Sequence, residues 1–163
     1  MVDEQLMHED FTRFLHRLQS YCAYRERCTQ EVRQKMERMG VPEHWRLELL
    51  RRLRMEGYVD DARYAEVFAR SRFRYHRWGR RKIALALRQK EISRALIRAA
   101  LAEIDEEEYR GVLEELARAH LDDAASPEAV QRTYRYLYQK GYEPELIRAV
   151  LVELQQGGLT PTL

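Results

Sequence analysis

The chain has 163 residues and a mass of 19.6 kDa, room for one ordinary domain or a short array of repeats, which excludes a large multidomain enzyme. Charged residues make up 34%, with only 7 Gly and 4 Pro, a composition that favours long exposed helices over a compact sheet and predicts an all-α protein. The net charge of +2 hides an asymmetry: residues 1–60 carry 11 basic and 11 acidic side chains, residues 61–100 carry 12 and 3, and residues 101–163 carry 6 and 13, so the segment charges run 0, +9 and −7.

Met1 to Asp10 is polar and acidic rather than basic-then-apolar, and no run of 18 apolar residues follows, so neither an export signal nor a membrane span is read and a cytoplasmic protein is expected. Residues 1–8 lack periodicity and are expected to form a disordered tail. From there Phe11, Phe14, Leu15, Leu18 and Cys22 recur at helical spacing, so burial accounts for Cys22 without any chemistry. Cys28 sits at a helix junction and belongs to no motif; both cysteines are expected as thiols.

Thr29 can cap the next helix, which Gly40 ends before Val41-Pro42 opens another, because glycine accepts the left-handed conformation past a C-terminus and proline is tolerated in a first turn. Gly57 closes that helix and Asp60 or Asp61 caps its successor. Ser93 and Ser126-Pro127 are further start signals, and Gly141 with Pro144 repeats the device of Gly40 and Pro42. Residues 156–163 are expected to form a C-terminal tail.

Residues 87–104 repeat at 137–154, offset by 50. Leu87, Gln89, Lys90, Leu96, Ile97, Arg98 and Leu101 meet identical residues at Leu137, Gln139, Lys140, Leu146, Ile147, Arg148 and Leu151. The apolar stripe recurs too, Ile92 and Ile104 becoming Tyr142 and Leu154. A fainter copy lies 51 residues earlier, where Val32, Met36 and Leu53 fall on Ile83, Leu87 and Ile104. These matches predict three tandem three-helix repeats, 9–57, 58–104 (basic) and 105–155 (acidic). Units too short to bury their own stripes must stack, so an elongated curved solenoid is expected.

The common chemistries find no residues assembled for them. There is no Walker loop or other glycine-rich phosphate cradle, the five histidines form no helical metal pair, and no Cys/His spacing suits zinc. The carboxylates at Asp60-Asp61, Glu106 to Glu108 and Asp122-Asp123 fall at predicted helix ends, where capping or solvation explains them. No catalytic residue, cofactor or metal is therefore assigned, and no enzyme is expected.

The middle segment stands out instead. Arg70, Arg72, Arg74, Arg77, Arg80, Arg81 and Lys82 place seven cations in thirteen residues, with Phe73, Tyr75 and Trp78 interleaved and no acid between Glu66 and Glu91. A helix from Asp61 to about Arg77 would put Tyr64, Val67, Phe68, Ser71 and Tyr75 on one stripe and Arg63, Arg70, Arg74 and Arg77 on another. An arginine row suits phosphate, since guanidinium groups make bidentate contacts and each neutralised phosphate releases counterions; neighbouring aromatics can stack on bases. The competing expectation is that these arginines pair with the acidic third unit. Among the tyrosines at helical spacing, Tyr136 is read as an interface anchor.

The runs Glu56-Gly57-Tyr58-Val59-Asp60-Asp61-Ala62-Arg63-Tyr64-Ala65 and Arg80-Arg81-Lys82-Ile83-Ala84-Leu85-Ala86-Leu87-Arg88-Gln89-Lys90, with Trp78-Gly79 between them, resemble the RecX family of bacterial regulators of the RecA recombinase. Tyr134-Arg135-Tyr136-Leu137 followed by Lys140-Gly141-Tyr142 resembles that family's third unit, so the likeness spans about residues 11–154. Glu91 departs from the pattern, which has a glycine there; a left-handed glutamate costs on the order of 1 kcal/mol, so another helix ending is expected. Trp45-Arg46 also departs from the usual apolar pair.

The resemblance implies a monomeric solenoid that lodges in the groove of a RecA filament on single-stranded DNA, or blocks its growth, and suppresses ATP hydrolysis, strand exchange and co-protease action. The residues expected to meet DNA or recombinase are Arg63, Arg70, Arg72, Arg74, Arg77, Trp78, Arg80, Arg81, Lys82, Arg135 and Tyr136. The other reading is a stand-alone DNA-binding module of helix-turn-helix type. Ser93 to Ile104 suits it poorly, being largely an apolar packing face.

Overall fold

The computed structural model describes residues 2–121 and 126–157, and these residues form helices and no strand. The elements are α1 (Val2–Tyr24), α2 (Thr29–Arg38), α3 (Glu43–Met55), α4 (Asp61–His76), α5 (Arg80–Gln89), α6 (Arg94–Ala102), α7 (Glu106–His120), α8 (Pro127–Lys140) and α9 (Pro144–Gly157). They pack in threes, α1 to α3, α4 to α6 and α7 to α9, hereafter units 1, 2 and 3. Asp122-Asp123 and residues 158–163 lie outside the described residues, and with the latter most of the expected C-terminal tail.

Unit 1 has a core of its own, built on Leu18, Val32, Met36, Leu49 and Leu53, and closed by Val59 at the entrance to unit 2. Trp45 packs edge-on against Phe11 and Phe14, with ring centroids 5.8 and 6.1 Å apart, and Arg46 donates to the Val41 carbonyl at 3.0 Å. The departure at Trp45-Arg46 is thus absorbed by two phenylalanines of α1. Units 2 and 3 share a second core, in which the repeat-related pairs Leu87 and Leu137, Ile97 and Ile147, and Ile92 and Tyr142 are all buried.

The structure corrects the sequence reading at four places. Helix α1 starts at Val2, so residues 2–8 are helical rather than a tail, with Asp3 and Glu4 in the first turn, where carboxylates favour the positive end of the dipole. The cap of α2 is Cys28, not Thr29: Glu31 Oε2 accepts from the Cys28 N–H at 3.2 Å, while Asp61 Oδ1 accepts from the Thr29 N–H at 2.8 Å. Asp61 therefore ties unit 2 to unit 1, and Asp60 caps α4 by accepting from the Arg63 N–H at 3.0 Å.

The third correction concerns Glu91, which adopts the left-handed conformation, φ 58°, in place of another ending. The Glu91 and Ile92 N–H groups donate to the Arg88 and Leu87 carbonyls at 2.9 and 3.1 Å, so the closing bonds of α5 outweigh the steric penalty. Ser93 caps α6 as expected, accepting from the Leu96 N–H. The fourth is the buried face of α4, which is Tyr64, Ala65, Ala69 and Phe73; Val67 points outward and Tyr75 is 82% exposed. The two alanines let α6 approach closely, which turns the helix away from the stripe expected.

Candidate functional site

The turn between α4 and α5 holds most of the basic run. Helix α4 ends with Arg77 in the left-handed region, φ 56°, and the Trp78 N–H donating to the Arg72 carbonyl at 3.1 Å. This turn meets the α8–α9 turn of unit 3 through the main chain: Gly79 N–H donates to the Lys140 carbonyl at 2.8 Å, and Arg81 N–H to the Gly141 carbonyl at 2.9 Å. Lys140 Nζ donates to the His76 carbonyl and Tyr142 Oη to the Arg77 carbonyl, both at 2.9 Å. The basic turn is therefore held rigidly against the repeat that follows.

Beneath it lies Tyr109 of α7, fully buried. Its hydroxyl accepts from the Arg80 N–H at 3.1 Å and donates to the Glu143 carboxylate at 3.0 Å. Burial, reinforced by the neighbouring Glu143, pushes the phenol far above its ordinary pKa, so it stays a donor at any physiological pH. Arg80 lies over the Tyr109 ring, 3.9 Å from its centroid, and pairs with Glu106 and Glu143. Its side chain is only 21% exposed, so Arg80 is a pin between units rather than part of the outward surface.

The remaining expected residues divide by what they touch. Arg63 belongs to the junction of units 1 and 2, donating to Glu26 at 2.7 Å and to the Gly57 carbonyl at 2.9 Å. Arg74 and Arg77 reach the acidic unit, with Glu108 and Glu115 at 3.9 and 3.0 Å. Arg72 lies over both Phe68 and Trp78, and Lys82 lies over Trp78 with its ammonium 4.4 Å from the ring centroid. Arg81 sits over Tyr138, 4.2 Å from the centroid, and donates to its hydroxyl at 3.0 Å. Arg70 is exposed and makes no ion pair among the described residues. Pairing with the acidic unit thus occurs within one molecule, but among the described residues it engages only Arg74, Arg77 and Arg80 of the run.

On unit 3, Tyr136 is half-buried and stacks on His120 at 3.8 Å, while Arg135 is exposed on α8. The aromatic that joins the basic face is Tyr138, two residues on, which sequence periodicity did not distinguish from its neighbours. Gly79 was also missed as a site residue; its backbone contact with unit 3 has no local signal beyond its place after Trp78. Lys140 is another addition. Burial first, then the nearby Lys82 and Arg77, lowers its pKa, which marks a spot where positive charge crowds without full compensation.

Among the described residues no group of three His, Cys, Asp or Glu side chains could hold a metal ion, and no helix is long and apolar enough to cross a membrane. The arrangement is a rigid face of guanidinium and ammonium groups laid on aromatic rings, suited to anions and planar groups.

Two family models match: the second three-helix domain of RecX over residues 60–101, and the third over residues 106–151. The regulatory protein RecX of Amycolatopsis mediterranei is 31% identical over 145 residues, covering 86% of this chain and 83% of its own length. That of Oceanobacillus iheyensis is 27% identical over 157 residues, covering 94% of this chain. The chain spans 56% of the Oceanobacillus protein's length and 51% of the corresponding protein of Geobacillus kaustophilus. The crystal structure of RecX from Lactobacillus salivarius superposes with a TM-score of 0.84 at 21% identity, covering 91% of this chain and 99% of that one. A second crystal structure of a regulatory protein RecX gives 0.81 at 22% identity, covering 91% and 76%. The shared fold is the all-helical array of three-helix units.

Proposed function

This chain belongs to the RecX family, and on that premise we propose that it is a non-catalytic regulator that binds the RecA filament on single-stranded DNA in the cytoplasm and restrains its ATP hydrolysis, strand exchange and co-protease action. The observation that carries this reading is the rigid face around Trp78, where Arg72 and Lys82 flank one indole ring and Arg77, Lys82 and Lys140 crowd together. Such a face neutralises phosphates through its cations and offers rings to bases or to a protein surface. Arg70, Arg74, Arg77, Arg81 and Lys82 make the outward contacts, with Tyr138 supporting Arg81; Arg63 and Arg80 hold the units in line so that the face keeps its shape.

The test is single-stranded-DNA-dependent ATP hydrolysis by the matched RecA, titrated with this protein from substoichiometric amounts, beside a triple variant Arg74→Ala, Arg77→Ala, Arg81→Ala whose helical circular dichroism is unchanged. Inhibition by the parent chain that is lost in the variant is expected. Equal inhibition by both would remove the basic face from the mechanism, and none by either would remove the reading. If about four phosphates are neutralised, the slope of log K against log salt on single strands is on the order of −3.

A further inference from the structure

Two grooves with arginines beside apolar side chains lie between the second and third helices of units 2 and 3. Between α5 and α6 the floor is Ala84, Ile97 and Leu101, Leu85 stands at the mouth, and the rim is Arg81, Arg88, Arg94 and Arg98. Between α8 and α9 the walls are Val130, Tyr134, Leu151 and Val152, with Arg135 and Arg148 at the edge. The 50-residue offset lays Ala84 on Tyr134, Arg98 on Arg148 and Leu101 on Leu151, so the second groove occupies the repeat-related place, while its edge differs, Arg81 falling on Gln131 and Leu85 on Arg135.

Their chemistry is unusual for a surface that faces only water. Among the described residues no carboxylate lines either groove, although acids are abundant elsewhere on unit 3. Arg88, Arg94 and Arg98 are exposed and make no ion pair among the described residues. Leu85 is 51% and Val152 49% exposed, so each groove keeps an aliphatic side chain at its mouth. A cationic rim around an aliphatic floor is complementary to a ligand that is aliphatic along its centre and anionic along its flanks. A nucleic-acid strand would satisfy the rim but leave the floor wet, and the α5–α6 groove has no aromatic ring on which a base could stack. A furrow between two packed helices has the shape to take a third.

We propose that the α5–α6 and α8–α9 grooves are a repeated pair of docking sites for acidic amphipathic helices of a protein partner, one helix to each groove. Two equivalent sites on one rigid chain suit a partner that offers the same helix at regular intervals, because the second contact is then made at high effective concentration. A polymer of identical protomers is such a partner. Its identification with the recombinase filament rests on the function proposed above, whereas the grooves themselves do not.

The probe is a synthetic 15-residue helical peptide with leucines at i, i+3, i+4 and i+7 flanked by glutamates, titrated calorimetrically into the full chain, with a scrambled peptide of the same composition alongside. Two sites per chain are expected for the parent, one each for Leu85→Asp and Val152→Asp, and none for the double variant. Both substituted side chains are half exposed, so the helical circular dichroism stays unchanged. Fewer than two sites in the parent, equal binding of the scrambled peptide, or full occupancy in the double variant would overturn the proposal. Co-pelleting with RecA filaments tests the partner: at least tenfold weaker pelleting of the double variant supports the filament. Undiminished pelleting, with peptide binding lost, would keep the grooves but overturn the filament as their occupant.

Discussion

Gly79 and Gly141, 62 positions apart, lie main chain against main chain across the junction of units 2 and 3, and neither has room for a Cβ. A methyl group on Gly79 would overlap the Gly141 carbonyl and the Tyr142 nitrogen; one on Gly141 would overlap the backbone nitrogen and Cβ of Lys82. Gly141 also stands at φ +101°, a conformation that other residues avoid. The two glycines allow the inter-unit hydrogen bonds from Gly79 and Arg81, and through them the position of the basic face.

Gly79→Ala is accordingly expected to destabilise the chain by about 1–3 kcal/mol through overpacking against backbone that cannot yield, and Gly141→Ala by somewhat more. Urea denaturation measures both. Gly40→Ala is the control: its Cβ meets nothing within 4 Å and only the positive φ of 70° is penalised, so a loss of about 1 kcal/mol is expected. Equal losses at Gly40 and Gly79 would refute the close-contact argument.

At Glu91 the sign reverses. A left-handed glutamate closes α5 where the repeat-related position holds Gly141, so Glu91→Gly relieves strain and is expected to raise stability by about 0.5–1 kcal/mol, read as a higher urea midpoint at unchanged slope. A lower midpoint would mean that the unfolded-state entropy of the new glycine outweighs the relief.

Arg74 and Arg77 are held by exposed partners, Glu108 and Glu115, that compete with any external anion. Exposed pairs contribute about 0.2–1 kcal/mol, so removing both acids as Glu108→Gln and Glu115→Gln should tighten filament binding about two- to fivefold at low salt, and less at high salt. Weaker binding would show that the carboxylates themselves contact the partner.

Burial pushes the Cys22 thiol up to about 11 from an ordinary value of 9.0, partly offset by the neighbouring Arg27. Cys28 is raised as well, again chiefly by burial. At pH 8 the thiolate fraction at Cys22 is then about 100-fold lower than for a free thiol, and disulfide-exchange reagents should modify Cys22 in the folded chain at least that much more slowly than in the denatured one. Because the folded state holds a proton that the unfolded state releases, the linked stability is full below about pH 9 and is lost as pH rises from about 9 to about 11. Fast labelling at pH 8 without unfolding would contradict this.

Helix periodicity, the start and stop residues and the 50-residue repeat are local properties of the chain, so the all-helical class and the family resemblance were legible in sequence. The resemblance also ran through Trp78-Gly79 and Lys140-Gly141 without indicating that the two turns meet. Which cations face outward depends on partners more than 20 residues away: Arg63 turns to Glu26, Arg80 to Glu106 and Glu143, and Arg81 to Tyr138. Periodicity places these side chains on helix faces but is silent about what the next unit brings to each face. Even within α4 the expected stripe shifted, because the choice between Tyr75 and Phe73 as the buried aromatic was made by the packing of α6 and α7. Helices, repeats and a surplus of positive charge in unit 2 follow from the linear chain, since hydrophobic spacing and composition act over a few turns. The tertiary structure decided which of those charges bind the protein's own acids, which lie on rings, and which line the two repeated grooves, since ion pairs and close backbone contacts act between segments that only folding brings together.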